Sequence, residues 1–328
     1  MRYIFYILII ILISSFSFSE DEAVTKVATS AANWLKIDNG VRGISMGGSQ
    51  VASGRGMAGA FYNPASIAFL EGSEVFYSKS NYLADISHNT LAYGTRLTPT
   101  DYFGLHLFYL HSGDMKVTNE ANPDGTGETF TVMDLSLRLI YGRQLTDRLR
   151  IGGTLKYIRE EIFTAYMQSF VFDLGSNFDT GIYGLILGMS VSNFGPSVQF
   201  HGEGLEIVVA DTTARDGKLS KITKKFSVPL TFRLGIQRDI LGSDNSPHRL
   251  IVSLDGINPI DYTLYGGVGV EYSWRDIAFI RGGTKLFHDT AGLSAGGGLK
   301  WSIIAVDYAY VNYGVLKETH QFGISLEF

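Results

Sequence analysis

The chain contains no cysteine. Disulfides, thiolate metal sites, a cysteine nucleophile and a lipoprotein anchor are thereby excluded. Proline is scarce, at 7 of 328 residues, and charged residues make up 18%, below the roughly one quarter usual in soluble domains. A net charge of −5 gives no reason to expect nucleic acid as a partner. Past the first residues, no apolar stretch approaches the roughly 18 residues that mark a spanning helix. Any membrane-spanning part of the mature chain must then be a closed barrel, because only helices and closed barrels satisfy every backbone group in lipid.

Glycine is abundant at 38, with 18 tyrosines and 21 phenylalanines. Aromatic residues suit a pleated surface, and glycine serves turns and close approach. At the start, Arg2 supplies a positive charge, Tyr3 to Ile13 is apolar, and Ser17 and Ser19 fit a small-x-small cleavage rule. Residues 1–19 are therefore expected to be a cleaved signal peptide. The alternative is a membrane-anchoring helix, for which this run is short against a span of about 20 residues. Residues 20–72 read as a polar start, a helical stretch around Thr25–Leu35 and a Gly-rich irregular region.

From Ser73 to Phe328 the dominant signal is period two. Leu135, Leu137, Leu139 and Tyr141 share one face against Asp134, Ser136 and Arg138 on the other. Val228, Leu230, Phe232, Leu234 and Ile236 oppose Pro229, Thr231, Arg233, Gly235 and Gln237, and the same holds for Phe322, Ile324, Leu326 and Phe328. Such alternation fits a soluble sandwich as well as a barrel. Three features favour the membrane. The polar face carries full charges at Arg138, Lys156, Arg233, Glu271, Lys300 and Asp307, which a polar lumen accepts. Aromatic residues close the apolar faces at Tyr141, Tyr272, Trp274, Trp301 and Phe328, as in interfacial girdles. Connections alternate in length, with short turns at Thr98–Asp101, Thr146–Arg148, Trp274–Asp276 and Trp301–Ser302, and long ones at His111–Glu128 and Asn193–Phe226.

The expected fold is all-β: a 14-stranded antiparallel transmembrane β-barrel over 73–328 with an N-terminal lumenal hatch over 20–72. An even strand number is the rule for bacterial single-chain barrels. The lumen-lining candidates are His106, Asp134, Arg138, Lys156, Arg233, Glu271, Lys300 and Asp307. Opposed charges such as Asp134 and Arg138 would either form a path or neutralise one another.

Two motifs suggest chemistry. Gly43-Ile44-Ser45-Met46-Gly47 has the spacing of a nucleophile elbow, but no α/β alternation surrounds it. Gly54 to Gly59 matches G-x-G-x-x-G without the βαβ unit that gives that pattern meaning. Both read as Gly-rich packing segments, and the seven histidines show no metal-ligand spacing. No catalytic residue, metal site or cofactor is expected.

The N-terminal region carries a resemblance. Trp34-Leu35-Lys36-Ile37 precedes Gly40-Val41-Arg42-Gly43 with Met46-Gly47-Gly48, then Tyr62-Asn63-Pro64-Ala65, and later Asn193-Phe194-Gly195-Pro196. Together these resemble the PorV/PorQ family of outer-membrane proteins, which is related to the FadL long-chain fatty-acid transporters. The resemblance implies a bacterial outer-membrane location. It also implies a hatch in which Gly43, Gly47 and Gly48 permit tight turns and Asn63-Pro64 sets the approach to the first strand. Trp34, Leu35, Gly40, Arg42, Met46 and these residues form the implied hatch motif. The implied function is that of a non-enzymatic accessory or shuttle in type IX-like secretion, with outer-membrane lipid, exported cargo proteins and secretion components as partners. The alternative is a FadL-like passive transporter with a hydrophobic ligand in its lumen.

Overall fold

The computed structural model describes residue 27 and residues 29–209, 217–242 and 246–328. The expected signal peptide lies outside them. Fourteen antiparallel strands close into a barrel. In chain order they are β1 (Ser73–Asn81), β2 (Ser87–Arg96), β3 (Asp101–His111), β4 (Val132–Gln144), β5 (Leu149–Ile162), β6 (Ala165–Asp179) and β7 (Leu185–Phe194). The other half is β8 (Thr231–Leu241), β9 (His248–Pro259), β10 (Tyr265–Trp274), β11 (Ala278–Leu286), β12 (Leu293–Trp301), β13 (Ile304–Asn312) and β14 (Glu318–Glu327). Each strand pairs with its sequence neighbours, and β1 closes on β14 with Glu74 opposite Glu327 and Asn81 opposite His320.

The alternation turns the usual soluble pattern inside out. Leu137, Leu139, Tyr141, Phe232, Leu234, Phe322 and Ile324 are exposed on the outer wall. Asp134, Ser136, Arg138, Lys156, Arg233 and Glu271 are buried inside. Lipid accepts the first set and a polar interior the second. Trp274, Trp301 and Phe328 lie exposed at one rim, called here the turn end, where β2–β3, β4–β5, β10–β11 and β12–β13 are joined by short turns. The long connections, 112–131 and 195–230, both lie at the opposite rim, the loop end. Length alone does not define that end, because β5 and β6 meet there through Phe163-Thr164 only.

One apolar face departs from expectation. Val228 is buried with Trp34, Phe108 and Val198 rather than facing outward. Pro229 explains it: lacking an N–H, it cannot extend the ladder, so β8 begins at Thr231. The β6–β7 ladder likewise shifts register at Phe172/Leu174. Beyond it the wall is completed by the chain after β7, with Val198 bridging Phe226 and His201 pairing with Tyr166.

Within the barrel lies the chain that precedes β1. Its regular pieces are short: a 3₁₀ turn at Asn33–Lys36, α1 (Val41–Ser45), α2 (Gly56–Ala60) and a 3₁₀ stretch at Pro64–Phe69. The helix expected around Thr25–Leu35 is not formed over its described part. Ala32 is left-handed at φ 54°, so the helical turn begins only at Asn33.

A ring of inward glycines seats this segment. A β-carbon at Gly188 would stand 2.3 Å from the Val51 carbonyl oxygen, and one at Gly283 2.2 Å from the Met46 carbonyl carbon. One at Gly152 would stand 2.4 Å from Pro64, and one at Gly269 2.6 Å from the Met46 oxygen. The barrel backbone itself is therefore the contact surface, and no side chain fits between the two layers.

Candidate functional site

The inner segment is anchored by polar contacts from opposite sides of the barrel. Arg42 on α1 donates from Nε and Nη2 to the two oxygens of Glu271, at 2.8 and 2.9 Å. Its Nη1 donates to Gln50 Oε1 at 2.8 Å and to the Ser53 carbonyl at 2.7 Å. Glu271 also accepts from Arg281, which in turn pairs with Asp307. Two cations thus hold one buried carboxylate, the geometry that offsets the cost of taking charges out of water. Elsewhere Val51 N–H donates to Asp255, Met57 N–H to Glu74 and Ala32 N–H to Glu160. Asn63 ties the segment to the wall, its amide donating to the carbonyls of Val51 at 2.7 Å and Ser176 at 3.0 Å.

The remaining hatch-motif residues fall in two groups. Trp34 and Leu35 are buried at the loop end, where the Trp34 ring stacks on Phe108 at 5.6 Å. Gly40, Gly47 and Gly48 have φ of 93°, 65° and 80°, so they serve turns. Gly43 does not. It sits within α1, and its role is close approach, since a β-carbon there would meet the Tyr62 hydroxyl at 2.5 Å. Met46 is fully buried, and Pro64 packs on Gly152.

The lumen candidates are not one cluster. Lys156 pairs with Asp173 at 2.7 Å and donates to Asn193 at 2.6 Å. Arg138 lies over the Phe61 ring at 4.5 Å, Arg233 over Tyr62 at 6.0 Å, and His106 near Phe61 at 6.2 Å. Lys300 pairs with Glu327 at 2.6 Å near the turn end. Asp134 and Arg138 do not neutralise one another. Four residues along one strand separate them by about 13 Å. Asp134 instead shares a loop-end cavity with Glu160 and Trp34.

Two cavities of unlike chemistry flank the inner segment. At the turn end a cavity of about 230 Å³ is lined by charged groups including Arg42, Arg249, Arg281, Glu74 and Asp307. At the loop end a cavity of about 520 Å³ is walled by Tyr82, Tyr262, Tyr265, Tyr313 and His288, with Lys285 and Asp38 also lining it. Burial is the main cause pushing the phenols of Tyr82 and Tyr313 well above their ordinary range, so both stay neutral. Burial first, and Lys285 second, lower the His288 imidazole below its ordinary value. Sequence reading named none of these pocket residues. They come from separate connections, from strand ends and from the inner segment, whose meeting place no spacing encodes.

The tempting motifs find ordinary uses. Ser45 hydroxyl donates to the Arg42 carbonyl, and its own carbonyl accepts from Ser294. The Gly54–Gly59 turn presents Met57 N–H to the chain's own Glu74 rather than to a phosphate.

Solved structures sharing this architecture were found. The Pseudomonas putida toluene transporter TodX matches with a TM-score of 0.59 at 12% identity, over 88% of this chain and 96% of that one. The CymD monoaromatic hydrocarbon channel matches at 0.61 and 14%, over 88% and 97%. A Pseudomonas aeruginosa FadL homologue matches at 0.55 and 12%, over 88% and 98%. The fold is that of the FadL-type outer-membrane barrels. No protein-family model matches the sequence, and no curated protein matches it. TodX is described as a toluene transporter and CymD as a monoaromatic hydrocarbon channel. The PorV/PorQ resemblance therefore stands on its sequence motifs alone.

Proposed function

We propose that this chain is an outer-membrane channel for the passive uptake of small hydrophobic molecules, with residues 20–72 acting as the hatch and 73–328 as the frame. The observation that carries the reading is the loop-end cavity of about 520 Å³, walled by aromatic rings and floored by the inner segment. Its size and aromatic walls suit a small ligand. TodX and CymD, named for toluene and monoaromatic hydrocarbons, support the same reading. So does the apolar outer wall with aromatic residues at the turn-end rim, which fits a lipid bilayer.

This reading is preferred to the secretion-accessory role. A cargo-gripping loop should be free at its base. The 195–230 connection is instead tied down, with Ala31 N–H donating to the Ser227 carbonyl at 3.0 Å and Val198 pairing with Phe226. The test is initial uptake of radiolabelled toluene by intact cells of a host stripped of its own FadL-type channels. Expression of the chain should raise the rate. An unchanged rate, with the barrel present in the outer-membrane fraction, refutes the channel.

A further inference from the structure

The walls of the loop-end cavity fall into two ring groups. Tyr82 and Tyr313, from the β1–β2 and β13–β14 connections, meet edge to face at 5.9 Å. Tyr262, Tyr265 and His288 form the other, with His288 5.1 Å from Tyr265 and 5.4 Å from Tyr262. A pocket for a plain hydrocarbon would need nothing more. This one also contains Lys285, on β11, paired with Asp38 of the inner segment at 2.6 Å, both largely enclosed. Lys285 lies 5.6 Å from the Tyr265 ring centre, and the pair exerts its field on the phenols of both ring groups.

The polar accounting at this pair is incomplete. An ammonium has three donors, and a carboxylate has about four acceptor positions. Among the described residues Lys285 Nζ pairs with Asp38 alone, and Asp38 accepts a side-chain hydrogen bond from no other group. Neighbouring groups are already engaged: Lys36 with Asp261 at 2.8 Å, and Tyr262 hydroxyl with Asp289 at 2.6 Å. A donor and an acceptor with unused valences therefore lie side by side in a cavity walled mainly by rings, with Asn33, Lys36, Asp289 and Thr290 also on its lining.

Building on the channel reading, we infer that this pocket selects hydroxylated one-ring aromatics, the phenol class, over the corresponding hydrocarbons. The ring packs between the two groups of aromatic side chains, where offset and edge-on contacts are favourable. The hydroxyl donates to Asp38 and accepts from Lys285, so one substituent satisfies both members of the pair. An alkylbenzene leaves both unspent. An aromatic carboxylate satisfies Lys285 but sets its charge against Asp38. Hydrogen bonds to charged groups make the hydroxyl worth about a tenfold to hundredfold gain in affinity.

The test uses the full-length barrel in nanodiscs and a matched pair, 4-methylphenol and toluene, which differ by one hydroxyl. Isothermal titration calorimetry should give at least tenfold tighter binding of 4-methylphenol. Lys285→Met and Asp38→Asn each remove one of the two charged partners of the hydroxyl, so each should lower the ratio of the two affinities, with barrel integrity checked by heat-modifiable gel migration. The Asn variant is nearly isosteric and keeps the test valid should the Met variant not fold. Equal affinities in the native protein, a ratio unmoved by both variants, or tighter binding of 4-methylbenzoate than of 4-methylphenol overturns the inference. In each of those cases toluene uptake by cells still supports the channel. If neither compound binds and toluene uptake is also absent, both readings fall.

Discussion

Replacing Arg42 by alanine should release the inner segment without unfolding the barrel. The guanidinium makes four contacts: two to Glu271, one to Gln50 and one to the Ser53 carbonyl. Truncation leaves the Ser53 carbonyl without this donor and Glu271 with Arg281 as its remaining cation. Losing one partner of a buried ion pair costs about 3–5 kcal/mol, and the surviving Arg281 contact argues for the lower end. About 3 kcal/mol raises the population with a detached segment about a hundredfold. Arg42→Lys keeps the charge but loses the forked geometry, so its effect should be about tenfold. The readout is amide hydrogen exchange of residues 41–54 in nanodiscs, which reports local opening free energies. Planar-bilayer recordings should show brief conducting events that the native protein lacks. Arg143→Ala is the control, since its 3.6 Å pair with Asp101 is half exposed at the turn end. Exchange at 41–54 that matches the native protein in Arg42→Ala would refute the reasoning, because the ionic anchor would then contribute nothing to closure.

Two more outcomes are expected from the same geometry. Gly283→Val places atoms within 2.2 Å of the Met46 carbonyl carbon, so the inner segment should be displaced. Faster proteolysis of residues 40–60 with an intact heat-modifiable barrel is the expected result, and unchanged cleavage would contradict it. His288 has a lowered pKa, so folding favours its neutral form. The stabilisation is complete above the ordinary histidine pKa and is lost as pH falls below it. Barrel stability should therefore fall as pH drops below about 6.5, the ordinary histidine value, and should fall less in His288→Gln.

The strand set was legible because lipid imposes a simple rule on alternate positions. Leu137 and Leu139 had to face outward once Asp134 and Arg138 faced in, and the structure agrees. Parity says inside or outside, however, and nothing about height or direction around the barrel. That is why Asp134 and Arg138 looked like partners, while Glu271 is held by Arg281 and by Arg42, the latter 229 residues away. Arg281, Asp173 and Lys285 were missed, although they occupy inward positions by the same parity. The glycine ring was also readable in principle. Gly267 and Gly269 share parity with Glu271, and Gly283 shares it with Arg281 and Lys285. The fold of residues 29–72 was not readable, because its short turns are held by the barrel wall rather than by their own periodicity.

The glycine ring bears on how such a molecule is assembled. A folded insert cannot be threaded into a sleeve that leaves no room for one methyl group. The sheet must instead close around residues 40–70, as staves close around a former. Deleting that segment would then remove the former as well as the stopper, and the loss would be seen first in the yield of closed barrels.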